Sequence, residues 1–198
     1  SCLWSSTGKR QPILLSQVAQ TLDGKAIDLL LPMELCSWLL TDPWPSKRRP
    51  DRQAITFAVE EQLGDTLENV HLGIGVRDEE GRYPVMVIDR ARFAAVLALV
   101  ADAGIKVRKV FVDADVLPGT QPMAARWFGR WLVGGGMPLR VALSDEALAL
   151  RKGLLPVETA WLDERDVDCS LSLCRSRAIN LMQGEFAARS QPLPRRVS

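Results

Sequence analysis

In the first two thirds of the chain the spacing of apolar residues switches between a helical period and an extended one, which strongly constrains the fold. From Asp51 to Leu63 apolar residues recur near the period of 3.6 that predicts an amphipathic helix, with Gly64 at its end. Residues 70–76 alternate at a period of two, which predicts a strand with one apolar face. The helical period returns over residues 93–103, and residues 107–112 predict another strand. This order predicts a mixed α/β protein, with helices packed against its sheets.

The segments around these elements extend the same pattern. Residues 27–31 predict a buried strand, after which a proline opens a short helical run from Met33 to Leu40. Residues 42–50 contain three prolines and four charged side chains, so they predict a surface loop. Residues 78–82 predict a charged hairpin turn, and residues 83–88 its returning strand.

A hairpin and a helix both fit the tryptophan-rich segment in the last third of the chain. Trp127 and Trp131 are four residues apart, as on one face of a helix. Gly129 between them and the glycines at 134–136 favour a hairpin instead.

Further along the chain the pattern predicts one more helix and one more strand. Ser144 predicts the N-cap of a helix, and Gly153 predicts its end. Residues 157–162 predict a strand, whereas residues 169–181 fit a helix or a strand.

The 198 residues fit one compact domain with internal lobes. Residues 1–10 are polar and unpatterned, which predicts an amino-terminal tail, and residues 189–198 predict a basic linker. Between them lies a folded body over residues 11–188. A change in sequence pattern divides that body into lobes of about 11–118 and 119–188.

Composition excludes several classes of function. Lys and Arg number 25 against 24 Asp and Glu, and a net charge of +1 provides no field that attracts nucleic acid. No apolar run approaches the roughly 20 residues of a membrane span, and the first ten residues do not resemble a signal peptide. Four cysteines without a Cys-x-x-Cys pair indicate a reducing, cytoplasmic compartment and no zinc site.

The residues predict no catalytic, metal or cofactor site. The chain has no phosphate-binding Gly-x-x-x-x-Gly-Lys-Ser/Thr loop, and Gly73-Ile74-Gly75 lacks the third glycine of a dinucleotide fingerprint. His71 is the only histidine, which leaves no second imidazole for a metal and favours an ordinary strand residue. The adjacent carboxylates at 60–61 and 78–80 diverge on a helix or a turn, so solvated charge is favoured over an acid/base pair.

The C-terminal end carries a local excess of positive charge. From Cys169 onward a single acid, Glu185, accompanies five arginines: Arg175, Arg177, Arg189, Arg195 and Arg196. The excess fits a solvated tail, and it equally fits a flank that contacts the anionic cytoplasmic leaflet beside a membrane span. In the second interpretation Arg189, Arg195 and Arg196 are membrane-proximal.

Several motifs occur in the order found in a known family. Residues Asn180–Ala187 read Asn-Leu-Met-Gln-Gly-Glu-Phe-Ala. They resemble the Asn-Leu-Leu-Gln-Gly-Glu-Phe/Tyr-Ala element in the cytoplasmic domain of bacterial type II secretion system protein L. Leu30-Leu31-Pro32, the helix Phe57–Leu63 and the run Val112–Pro118 are similar to three further elements of that family. The resemblance extends over about residues 27–188.

The resemblance implies a degenerate actin-like, ribonuclease-H-type fold in a non-catalytic scaffold without a cofactor. It also implies that the module recruits the secretion ATPase, protein E, to the bacterial inner membrane. A membrane span after residue 198, a periplasmic domain that pairs with protein M, and a homodimer are further expectations. The alternative is an actin-like-superfamily nucleotide-binding enzyme, an ATPase or kinase, for which Asp23-Gly24-Lys25 and Asp113 are the available residues.

Three segments offer the exposed charged and aromatic side chains that steer association between proteins. We expect partner contacts at the proline-rich loop, at the end of the helix predicted from Asp51 and at the hairpin turn, through Trp44, Arg48, Arg49, Glu60, Glu61, Asp78, Glu79 and Glu80. Trp44 lies between prolines, where an exposed ring needs a partner or a contact with its own chain.

Overall fold

Strands and helices alternate in the computed structural model, which describes residues 2–4, 10–165 and 177–187. The helices, in chain order, are α1 (Leu15–Leu22), α2 (Arg52–Glu60), α3 (Arg90–Asp102) and α4 (Asp145–Arg151). The strands are β1 (Cys2–Trp4), β2 (Arg10–Pro12), β3 (Ile27–Leu31), β4 (Cys36–Leu40), β5 (Val70–Ile74), β6 (Pro84–Asp89), β7 (Val107–Val112), β8 (Pro122–Trp127), β9 (Arg130–Gly135), β10 (Val141–Leu143) and β11 (Ala160–Leu162).

These strands pair in both parallel and antiparallel fashion. β4, β6 and β5 form an antiparallel sheet in that order, and β3 lies parallel to β7. A further sheet has the order β10, β9, β8 and β11, in which β11 is parallel to β8 and the other pairs are antiparallel. β1 and β2 form a small antiparallel pair. The architecture is the mixed α/β class that the alternating apolar periods predict.

The helices and strands predicted between Asp51 and Val112 are confirmed, with small differences at their ends. Asp51 caps α2, because its carboxylate accepts a hydrogen bond from the Ala54 backbone N–H at 2.7 Å. The helix ends at Glu60, before the predicted Gly64. α3 begins three residues earlier than its apolar pattern, because Asp89 caps it through the Arg92 N–H at 2.6 Å.

The helical run predicted over Met33–Leu40 is wrong. Met33–Leu35 form a single 3₁₀ turn, and Cys36–Leu40 form β4. β4 lies antiparallel to β6 with Cys36 opposite Ile88. Backbone pairing with a strand almost fifty residues away outweighs the weak local preference for a helix.

The unpatterned tail predicted over residues 1–10 also differs from the structure. Cys2–Trp4 and Arg10–Pro12 form the β1–β2 pair, with Cys2 opposite Pro12. Strand pairing uses backbone groups, which every sequence carries, so the side-chain pattern does not report it. At the other end, the strand predicted over 157–162 is shortened to Ala160–Leu162, and residues 166–176 lie outside the described ranges.

The hairpin interpretation of the tryptophan-rich segment is confirmed. Trp127 ends β8, Trp131 lies in β9, and the two turn residues between the strands both have positive φ, 50° for Phe128 and 73° for Gly129. Such values belong to the tight turn whose twist matches that of antiparallel strands. Trp127 lies opposite Arg130 and Trp131 opposite Arg126, so the two indoles are on opposite faces of the sheet.

The largest apolar core crosses the boundary between the predicted lobes. Val110 and Val112 of β7 lie in one cluster with Trp127, Leu132 and Leu181, and each of these side chains is at most 2% exposed. β7 precedes the boundary, whereas the other three residues follow it. The predicted lobes therefore share one core.

A second cluster lies between α2 and the antiparallel sheet. Ile55 and Val59 of the helix pack against Leu72 and Val85 of the strands. α2 thus covers one face of this sheet, and its opposite helix face is exposed.

Residues 177–187, which we call the linking segment, join the antiparallel sheet to β7. The Asn180 Oδ1 accepts a hydrogen bond from the Val110 N–H at 3.0 Å, and the Leu181 N–H donates to the Val110 carbonyl at 2.8 Å. The Gln183 side chain accepts from the Ile74 N–H and donates to the Ile74 carbonyl, each at 3.0 Å. Gln183 therefore pairs with β5 as a neighbouring strand would.

The alternation predicted for β5 is confirmed, since Val70, Leu72 and Ile74 pack with Ile55 and Val59 of α2, but the other face of the strand is buried as well. Ile179 and Leu181 of the linking segment cover the face opposite α2. A Cβ at Gly73 would lie 2.8 Å from Leu181 Cδ2 and 2.9 Å from Ile179 Cγ2. The glycine at this position is what allows the linking segment to pack directly on the strand.

Candidate interaction surface

The proline-rich loop, residues 42–50, is held against the hairpin turn. The Trp44 N–H donates to the Gly81 carbonyl at 2.9 Å. Arg77 donates to the carbonyls of Ser46 at 3.0 Å and Trp44 at 2.8 Å. The structure therefore brings together two of the three segments predicted to contact a partner.

Within this loop, the ring of Trp44 makes the contact with its own chain that its position demands. It is half-buried and meets the Tyr83 ring edge to face, with centroids 6.4 Å apart. Arg48 and Arg49 are exposed on the same loop. The cations are available to a partner, whereas much of the indole already packs against the protein.

The acidic hairpin turn is largely neutralised from within. Arg82 forms salt bridges with Asp78 at 2.8 Å and with Glu80 at 2.7 Å. Partial burial works against the ionised form of Asp78, but hydrogen bonds and charge from Arg82 outweigh it and lower the pKa of that carboxyl. Glu79 is exposed and forms no salt bridge with any residue in the described ranges. Of the three predicted carboxylates, Glu79 offers the most accessible charge.

Glu60 and Glu61 lie at the C-terminal end of α2, and both are exposed. Next to them, the Gln62 side-chain amide donates to the carbonyl of Leu40, the last residue of β4, at 3.3 Å. The acidic end of the helix thus adjoins the outer strand of the antiparallel sheet.

Phe57 is a surface residue that the sequence analysis did not select. Its side chain is 56% exposed, although it belongs to a helix whose Ile55 and Val59 are buried. Phe57 is two positions from each of these, so it lies opposite the buried stripe. The sequence could have indicated this surface position, because Phe57 falls outside the apolar stripe of its helix, and an aromatic side chain there contacts solvent or a partner.

Asp113 follows β7, at the carboxyl end of a parallel strand, where α/β proteins commonly bind ligands. It is only 2% exposed. Its Oδ1 accepts hydrogen bonds from the backbone N–H groups of Met33 at 3.0 Å and Ala114 at 2.7 Å, and its Oδ2 pairs with Arg130. Burial raises the pKa of Asp113 to about 6, although the Arg130 charge opposes the shift. Both carboxylate oxygens therefore bind groups of the protein itself.

Asp115 is held in the same manner. One oxygen accepts from Arg140 Nε at 3.1 Å, and the other accepts from the Ile179 N–H at 2.7 Å. Burial raises the pKa of this carboxyl, against the effect of Arg140. Asp115 thus fixes the start of the linking segment to the end of β7.

His71 is a structural residue of β5. It is 3% exposed, its Nε2 lies 2.7 Å from the Leu181 carbonyl oxygen, and its ring stacks on Phe93 with centroids 5.3 Å apart. Phe186 meets the same ring edge-on at 4.8 Å. Burial lowers the pKa of His71, chiefly because the charged ring would lose its hydration.

The remaining predicted positions lie outside the described ranges. Arg189, Arg195 and Arg196 follow residue 187, and the structure describes nothing of them. Within residues 2–4, 10–165 and 177–187, no helix has the length and apolar character needed to cross a membrane. No group of His, Cys, Asp and Glu in these ranges is arranged to hold a metal ion.

Comparison with known proteins gives consistent matches. The profile of the family "Type II secretion system (T2SS), protein L" matches residues 9–189. The type II secretion system protein L of Pseudomonas aeruginosa is 34% identical over 177 residues, which cover 82% of this chain and 46% of that protein. Its counterpart from Klebsiella pneumoniae is 29% identical over 189 residues, or 85% of this chain and 47% of that protein. The chain therefore spans just under half the length of these curated relatives.

A solved structure has the same fold. It is the cytoplasmic domain of EpsL, an inner membrane component of the type II secretion system of Vibrio cholerae. The two structures superpose with a TM-score of 0.73 over 93% of this chain and 92% of the other, at 17% sequence identity. The match confirms the predicted class, a mixed α/β fold of the degenerate actin-like type.

Proposed function

The chain belongs to the type II secretion system protein L family, and on that premise we propose that it is a non-catalytic scaffold that recruits the secretion ATPase, protein E, to the inner membrane. The observation that carries this proposal is the family match, which covers residues 9–189 and therefore nearly the whole chain. The solved relative is a cytoplasmic domain of an inner membrane component, and we assign the same location to this domain.

The buried carboxylates support a role without catalysis. An actin-like enzyme needs acidic side chains free to position Mg²⁺ and phosphate. Both oxygens of Asp113 and of Asp115 are instead bonded to backbone N–H groups and arginines. Asp113 and Asp115 therefore serve the fold, which favours function through the surface. Asp23, from the other motif considered for a nucleotide-binding enzyme, is exposed and follows the end of α1 with a φ of 48°.

We propose further that the domain is tethered by a membrane span that follows it in the full-length protein. The curated relatives are about twice as long as the matched region, which leaves room for a span and a periplasmic domain that pairs with protein M. Arg189, Arg195 and Arg196 would then contact the anionic cytoplasmic leaflet, at about 1 kcal/mol for each basic residue close to the surface.

Size-exclusion chromatography of the 198-residue chain with the purified ATPase of the same bacterium tests the scaffold role. We expect the two proteins to co-elute, and salt to weaken the complex, since the candidate contacts are charged. Separate elution at protein concentrations of tens of micromolar, in buffers of low and moderate salt, would contradict recruitment through this domain.

Calorimetry with ATP and Mg²⁺ tests the non-catalytic part of the proposal. We expect no binding heat from the wild-type chain, since the buried aspartates already have partners. Saturable heat that disappears in a folded Asp113→Asn variant would support the alternative of an actin-like nucleotide-binding enzyme instead.

A further inference from the structure

The segment between Arg52 and Arg77 carries acidic charge and no cationic side chain. From Gln53 to Val76 the chain contains four acids and no lysine or arginine. All four are exposed, and none forms a salt bridge with any residue in the part of the chain that is described: Glu60, Glu61, Asp65 and Glu68. We call these four residues the acidic face. A hydrogen bond from the Asn69 side chain, with another from the Thr66 N–H, lowers the pKa of Asp65, which keeps that carboxylate charged.

A cleft of about 320 Å³ adjoins the acidic face. Its lining comes from residues 62–65 and from all three strands of the antiparallel sheet, with Leu39, Val70 and Val87 among its apolar walls. Glu34, Asp65 and Asp89 are among its lining residues, none of which is basic. Glu34 is paired with Arg130 and the Asp89 carboxylate caps α3, so Asp65 supplies the charge that is most open to a partner. The cleft combines apolar walls with negative charge, so it suits a segment that carries both apolar and basic side chains.

The backbone edge beside this cleft is open. β4 is the outer strand of the antiparallel sheet, and it pairs on one side with β6. Among the described residues, no strand pairs with its other side, where the Gln62 side chain donates to the Leu40 carbonyl at 3.3 Å. An open edge strand provides backbone donors and acceptors to an extended segment of another protein.

Phe57 supplies an aromatic group on the same helix as the first two acids. Glu60 and Glu61 follow it by three and four residues, so the three side chains share one exposed face of α2. Aromatic side chains are enriched at protein interfaces relative to the rest of the surface, and Phe57 is 56% exposed.

From these features we infer that the acidic face, Phe57 and the edge of β4 form one docking site for a basic, extended segment of the secretion ATPase. The inference rests on the proposed function for the identity of the partner. Lysine and arginine side chains of the segment pair with the acidic face, and its backbone extends the sheet at β4. An apolar side chain of the segment enters the cleft. Anionic lipid and nucleic acid are repelled by the same carboxylates.

The hairpin turn is a weaker candidate for this contact. Two of its three carboxylates, Asp78 and Glu80, are already paired with Arg82. A partner would have to displace that arginine, at a cost in both charge pairing and hydrogen bonds. No carboxylate of the acidic face forms a salt bridge with a described residue, although Arg90 donates to the nearby carbonyls of Leu67 and Val70.

Charge-reversal variants test whether the ATPase binds at the acidic face or at the hairpin turn. Binding of the ATPase is measured by titration calorimetry for the wild-type chain, for Glu60→Lys/Glu61→Lys and Phe57→Ala at the proposed site, for Glu79→Lys at the hairpin turn, and for Glu158→Lys as the control. Glu158 is an exposed acid between α4 and β11. We expect Glu60→Lys/Glu61→Lys and Phe57→Ala each to weaken binding roughly tenfold or more, the double reversal also to reduce the salt dependence, and Glu158→Lys to stay within about twofold. A larger loss in Glu79→Lys than in the double reversal would place the contact at the hairpin turn. Circular dichroism confirms that each variant is folded.

Hydrogen exchange on the complex adds a second readout. We expect the amides of β4 to exchange more slowly when the ATPase is bound, because an added strand would bond them. If Glu60→Lys/Glu61→Lys and Phe57→Ala bind the ATPase as tightly as the wild-type chain, the docking site is overturned while the scaffold function stands. The same holds if binding leaves the hydrogen exchange of β4 unaltered. Failure of the wild-type chain to bind the ATPase at any salt concentration would overturn both.

Discussion

At the scale of single residues, the polar side chains that enter the core are held by several partners each. His71 is the only histidine of the chain, so its titration can be observed without interference from another imidazole. In the folded protein its pKa is lowered, mainly by burial, from the ordinary value of 6.5. Below pH 6.5 the unfolded chain therefore takes up a proton that the folded chain excludes, and stability falls as the pH falls.

Replacing His71 by glutamine removes this proton uptake. Between pH 7.5 and pH 5.5 we expect the wild-type chain to lose more stability than His71→Gln, with about 1.4 kcal/mol as the upper bound for proton linkage at a single site. Urea unfolding at the two pH values measures the difference. Other groups such as Asp113 titrate in both proteins and cancel in the comparison. Equal pH dependence in the two proteins would show that His71 titrates normally in the fold.

At the scale of elements, the hairpin turn between β5 and β6 depends on one glycine. Gly81 has a φ of +87°, and a Cβ at this position would lie 2.8 Å from a guanidinium nitrogen of Arg77. The same guanidinium holds the proline-rich loop through the carbonyls of Trp44 and Ser46. A side chain at Gly81 therefore disturbs both the turn and the loop that packs on it.

We expect Gly81→Ala to cost roughly 1–2 kcal/mol of the free energy of unfolding, because alanine is strained at positive φ. Gly119→Ala is the matched control, since a Cβ there meets no atom within 4 Å. Thermal denaturation of the two variants beside the wild type measures the difference. A Gly81 variant as stable as the Gly119 variant would mean that the loop and turn adapt without strain.

The linking segment is the second element whose contribution can be measured. Gln183 satisfies both backbone groups of Ile74, and its replacement by alanine leaves a strand N–H and carbonyl without partners in a partly buried site. We expect Gln183→Ala to cost roughly 1–3 kcal/mol in denaturant unfolding, the usual penalty for an unpaired buried polar group. Glu185→Gln, which breaks the half-exposed salt bridge to Arg90, should cost under about 1 kcal/mol. A larger loss of stability in Glu185→Gln than in Gln183→Ala would show that the salt bridge to Arg90, and not Gln183, holds the linking segment in place.

At the scale of the whole molecule, the shared core makes folding one event. Val110 and Val112 lie before the predicted lobe boundary, and Trp127, Leu132 and Leu181 lie after it in the same cluster. We expect tryptophan fluorescence and far-ultraviolet circular dichroism to report coincident urea transitions. A chain ended at Pro118 should show no cooperative transition, because it lacks six of the 17 buried residues of that cluster. Two separate transitions in the complete chain would instead support independently folding lobes.

Local physics determined much of this protein directly from the sequence. Helices α2, α3 and α4, the β5–β6 hairpin and β7 follow from apolar periods, capping residues and turn glycines, which act within a few positions of one another. The class of fold and the family resemblance followed from the order of these local signals.

Only the tertiary structure decided the features that depend on distant partners. Cys36–Leu40 became a strand because β6 pairs with it, and His71 and Gly73 became buried because the linking segment covers them. Asp113 is not free to bind a ligand, because its carboxylate oxygens bind the Met33 N–H and Arg130 from other elements. These contacts join residues far apart in sequence, so no local pattern encodes them.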